Sequence, residues 1–113
     1  MDIAYNNSVN QDVDNLLIKA VNVLNIPEFM GDRAKFVLAK TWNNKDQKQN
    51  YNKIKYELAA MACLMFCCYQ DMPEDTVINF DEYIGKLYSQ DQTKRIKQFR
   101  KTHKNICKFL HLH

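Results

Sequence analysis

The chain has 113 residues, a formal net charge of +3, two glycines, two prolines and four cysteines. A single domain of this size, spanning residues 1–113, can bury a modest core without metal or disulfides, and so few turn-formers exclude a many-stranded β protein. No apolar run approaches the roughly 18 residues of a bilayer span, and the opening MDIAYNNSVNQDVDN lacks the basic-then-greasy pattern of a secretory signal, so a soluble, cytoplasmic protein is expected.

Residues 1–9 read as a flexible arm, after which Asn10 is placed to cap the first helix, with Asp12 and Asp14 favouring its positive end. Val13, Leu16, Leu17, Ala20, Val21 and Leu24 fall on one helical stripe, and Pro27 should end that helix and open a short turn, PEFM. Gly31–Asp32 reads as the next start, with Val37, Leu38 and Trp42 facing inward. NNKDQKQN, residues 43–50, is the most loop-like stretch. From about residue 50 to 70 a third helix carries apolar residues on every side, which suits either the centre of a fold or a subunit seam. EDTVINFDEYIGKLY reads as one further helix with Val77, Phe80, Ile84 and Leu87 inward, although TVINF could be extended and Gly85 weakens the pattern. Ser89 and Gln92 resemble a capping box for the last helix, about residues 90–110. The expected fold is all-α, a bundle of four or five helices with a hydrophobic central one.

Charge is unevenly distributed. Residues 92–113 hold seven of the 16 basic residues and no carboxylate, leaving nine cations against all 13 acids in the remainder. Within that ending, Ile96, Phe99, His103, Ile106 and Leu110 step by three and four and form an apolar stripe. Lys97, Lys101, Lys104 and Lys108 gather on the opposite side, with Arg100 flanking. A charge run can simply solvate a packed helix. Like charges at these spacings repel, however, by a few tenths of a kcal/mol per pair, and no acid is interleaved to offset them. A ridge of one sign instead attracts phosphates or acidic surfaces. Arg95, Lys97, Arg100, Lys101, Lys104 and Lys108 are therefore the expected contact set for an acidic protein or a nucleic-acid backbone. Few aromatics interleave with them, so base stacking is not indicated. A membrane surface would need the apolar stripe that the bundle itself requires.

Other chemistries find incomplete residue sets. PEFMGDRAKFVLAKTW is the sole candidate for a helix-turn-helix, offering Arg33, Lys35 and Lys40 as readers. Cys63 and Cys67, with His103 and Cys107, stand in i, i+4 pairs that two facing helices could join into a metal site, although buried, reduced thiols explain the same residues. A helical phosphohydrolase needs paired acids, but Ala60 and Met61 occupy the slots beside Glu57. Asp81 and Glu82 are adjacent and so diverge, while Glu28/Asp32 and Asp71/Glu74 straddle breaks. No cofactor is implied. The sequence thus points to a non-enzymatic accessory protein that binds through its last helix. The alternative is an assembly protein, a homodimer seamed by Leu64, Met65 and Phe66. Frequent Asn and Lys would follow from an AT-rich genome, which points to a bacterial, phage or viral source.

Overall fold

The computed structural model describes residues 3–42 and 52–112, with side chains over 11–42 and 52–111. In these residues the chain forms five helices and no strand: α1 (Ile3–Val23), α2 (Phe29–Thr41), α3 (Lys53–Asp71), α4 (Phe80–Leu87) and α5 (Gln92–Leu112). The expected loop at 43–50 lies outside the described residues.

α1 begins at Ile3, so Asn10 sits within the helix instead of capping it, and residues 3–9, expected as an arm, are helical. Its inward stripe is the expected one, with Val13, Leu17, Ala20 and Val21 buried. The helix ends through its own backbone before Pro27 is reached. Asn25 adopts a left-handed conformation (φ 58°), while the Ile26 N–H donates to the Val21 carbonyl at 2.8 Å and the Asn25 N–H to that of Asn22 at 3.4 Å. These are the paired bonds of a Schellman turn, and Asn tolerates the left-handed position better than most residues. α2 then starts at Phe29, absorbing the short turn expected as separate, and buries Met30, Ala34 and Leu38.

α3 is the centre of the molecule. The Asn52 side chain accepts the Lys55 N–H at 3.1 Å and caps its start. Every residue from Leu58 to Cys68 is buried, because α1, α2 and α5 all pack against this one helix. Leu64, Met65 and Phe66 belong to that core. They are covered by the chain's own helices and are not exposed as the expected dimer seam requires.

The segment after Pro73 is not helical until Phe80, and Val77, expected inward, is 91% exposed. Two causes act together. Thr76, Val77 and Ile78 are β-branched and poor helix formers. Asn79 caps the helix that follows: its side-chain oxygen accepts the Glu82 N–H at 3.0 Å and its amide donates to the Glu82 carboxylate at 3.3 Å. At the start of α5, Ser89 is not the cap. The Arg95 N–H donates to the Asp91 carbonyl at 3.0 Å, and Ser89 supplies only its carbonyl to the Gln92 amide at 3.5 Å. Among the described residues, no helix is long and apolar enough to cross a membrane.

Candidate functional site

α5 is held by its apolar stripe. Phe99 is fully buried and stacks on Phe80 of α4, with ring centroids 6.0 Å apart. Ile106 is buried too, while Ile96, His103 and Leu110 are half-covered. Burying one side of an amphipathic helix in this way fixes which residues face outward. Lys97, Lys101, Lys104 and Lys108 are all exposed, and among the described residues none lies within 4.0 Å of a carboxylate. Lys94 joins them. At about 100° per residue the five lysines occupy an arc of about 80°, roughly opposite Phe99 and His103. From Lys94 to Lys108 the row is about 21 Å long at the usual helical rise.

The two arginines expected in the set are engaged elsewhere. Arg95 has a side chain only 15% exposed; it reaches Asp91 at 3.6 Å, donates to Gln98 at 2.9 Å, and turns toward a cleft beside Tyr88. Arg100 is paired with Asp81 of α4 through both Nε, at 3.0 Å, and a terminal nitrogen. That contact holds the guanidinium's pKa above its ordinary value and ties α5 to α4. The face therefore consists of lysines alone. Lys94 could have been recognised from its three-residue step to Lys97. The Asp81 partner of Arg100 could not, because it arrives from another helix.

The remaining candidate sites do not assemble. Cys63 lies against Thr41 of α2, Sγ to Oγ1 at 3.9 Å, and Cys67 lines a groove with Arg33 and Asp71. His103 and Cys107 meet each other on α5, Nε2 to Sγ at 3.6 Å, with the Tyr69 ring against the imidazole. The two pairs face different neighbours, so the four-ligand set is not formed. Among the described residues, no group of three or more His, Cys, Asp or Glu could hold a metal ion. Burial pushes the Cys63 thiol up to about 12 and those of Cys67 and Cys68 up to about 11. Such thiols stay protonated at neutral pH and are poor nucleophiles.

Three of the candidate acids are similarly occupied. Glu57 accepts the Tyr88 hydroxyl at 2.8 Å, and burial, reinforced by this carboxylate, raises the Tyr88 pKa. Asp71 pairs with Arg33 and Asp81 with Arg100. The helix-turn-helix readers are occupied as well. Arg33 also lies over the Phe29 ring at 5.3 Å, and Lys40 over Phe36 at 4.5 Å. Lys35 reaches Asp14 at 3.0 Å and Asp32 at 3.4 Å, contacts that raise its pKa.

Compared with protein families, curated proteins and solved structures, the chain matches none.

Proposed function

We propose that this is a non-enzymatic binding protein, of the accessory kind that phages and viruses encode, which engages an acidic macromolecule through α5. The observation that carries the reading is the row of five exposed lysines, Lys94, Lys97, Lys101, Lys104 and Lys108, with no carboxylate among them. Neighbours three and four apart repel, and a surface serving only solubility mixes its signs. A row of one sign on a rigid, core-anchored helix speeds encounter with a polyanion and releases its counterions on contact. Arg95 and Arg100 orient the helix and stand outside the contact set. The four unpaired thiols suit a reducing compartment, so the proposed place of action is the cytoplasm, the host's for a virus.

The test is a salt titration of binding to a labelled DNA duplex and, in parallel, to polyglutamate. For the duplex, a plot of log affinity against log salt should fall with a slope of roughly −3 to −4.5, as three to five neutralised phosphates require. The triple variant Lys101→Glu, Lys104→Glu, Lys108→Glu should abolish binding to both polyanions with the helical content retained. Arg100→Gln should leave affinity nearly unchanged. Should the triple variant bind either polyanion as tightly as the parent chain, the lysine row has no such role.

A further inference from the structure

Where the end of α2 meets α3 and α5 there is a groove of about 280 Å³, lined chiefly by Trp42, Ala59, Ile106 and Phe109. Its hydroxyls are already engaged: Thr41 donates to the Val37 carbonyl at 3.0 Å and Thr102 to that of Gln98 at 2.8 Å. The Trp42 indole N–H is buried and, among the described residues, has no hydrogen-bond partner. The rim is cationic. Asn105 stands at the edge of the groove, and its neighbours on the helix surface are Lys101 and Lys108. One turn before Ala59 on α3 stands Lys55, also exposed. Among the described residues, none of these three lysines meets a carboxylate and no acid lines the groove.

We propose that this groove receives one apolar side chain of an acidic peptide segment. The carboxylates that flank that side chain lie against Lys101, Lys108 and Lys55. The inference rests on the lysine-face reading above and narrows the acidic macromolecule to a protein. Size supports a single anchor. An apolar cavity of about 150 Å³ admits benzene, and small-ligand pockets begin near roughly 300 Å³. A groove of this volume therefore holds one large side chain. A nucleobase carries several donors and acceptors around its edge, and this lining would leave most of them unpaired. A leucine or phenylalanine carries none.

Trp42 is the chain's one tryptophan, so its fluorescence reports on the groove directly. Two short polyglutamate peptides, identical except for a central leucine or a central serine, are titrated at low salt. The leucine peptide should bind roughly tenfold tighter than the serine peptide, the preference expected for burying a leucine side chain, and should shift the Trp42 emission. The serine peptide should bind and leave the emission unchanged. Filling the groove by Thr102→Phe, or by Asn105→Phe should the first variant misfold, should erase the preference and keep the serine-peptide affinity. Equal binding of both peptides with silent emission overturns the groove inference and leaves the lysine face standing. If neither peptide binds, the groove inference falls, and the lysine-face reading falls with it if the DNA duplex is not bound either. A single-stranded oligonucleotide that shifts the emission where the leucine peptide does not would put a base in the groove and overturn the peptide assignment.

Discussion

His103 sits on the covered side of α5 with the Tyr69 ring against it and the Cys107 sulfur 3.6 Å away, and burial lowers its pKa below the ordinary histidine value. The unfolded chain then binds this proton more readily than the folded one. The stability associated with a neutral His103 is thus complete above about pH 6.5 and is lost as pH falls toward the depressed folded pKa. The loss is at most about 1.4 kcal/mol per pH unit for one proton. Urea unfolding at pH 8 and pH 5 should show His103→Gln to be less sensitive to acid than the parent chain; an unchanged difference would mean that other groups carry it. The same residue shows what spacing could reveal. Its place on the apolar stripe followed from steps of three and four, whereas its neighbour Tyr69 comes from another helix. The cations divide likewise. The Arg95–Asp91 pair is an i, i+4 contact that can be read from the sequence, and the pairing of Arg100 is not.

At the scale of the helix, α4 was the hardest element to delimit, and the residues that set its start were nonetheless present in NFDE, where Asn79 and Glu82 bond to each other. Hydrophobic spacing alone carries the expected helix too far upstream, as far as the exposed Val77. Gly85, which weakened the helical pattern, proves to lie at the crossing of α4 with α5. A Cβ added there would stand 3.5 Å from Ile96 Cδ1 and 3.6 Å from Gln92 Oε1, ordinary van der Waals distances, and the backbone has no positive φ. Gly85→Ala should therefore stabilise the fold by about 0.5–1 kcal/mol, through lower entropy of the unfolded chain and better helix propensity. Thermal melting should rise by a few degrees, and a fall would show the crossing to be tighter than this. α1, α3 and α5 were legible because each repeats its apolar residues over several turns. Their ends were less so: the turn after α1 is made by backbone bonds at Asn25 and Ile26, which leave little trace in residue type.

For the whole molecule, the unequal distribution of charge survives folding only in part. Arg95 and Arg100 are drawn to Asp91 and Asp81, and the lysines are left facing outward. Periodicity established the two sides of α5, but whether an apolar helix such as α3 serves a core or a seam depends on how many helices surround it, which no single segment records. With Leu64, Met65 and Phe66 enclosed, the free chain should sediment at its monomer mass of 13.4 kDa. Leu64→Asp should unfold it by placing a charge in the core. A dimer that this substitution splits into folded monomers would restore the seam. The enclosure of α3 has one more outcome. Its backbone N–H groups from Leu58 to Cys68 are shielded by α1, α2 and α5, so an opening of α4 alone leaves them covered. Deuterium should enter them last, and at a rate set by global unfolding alone.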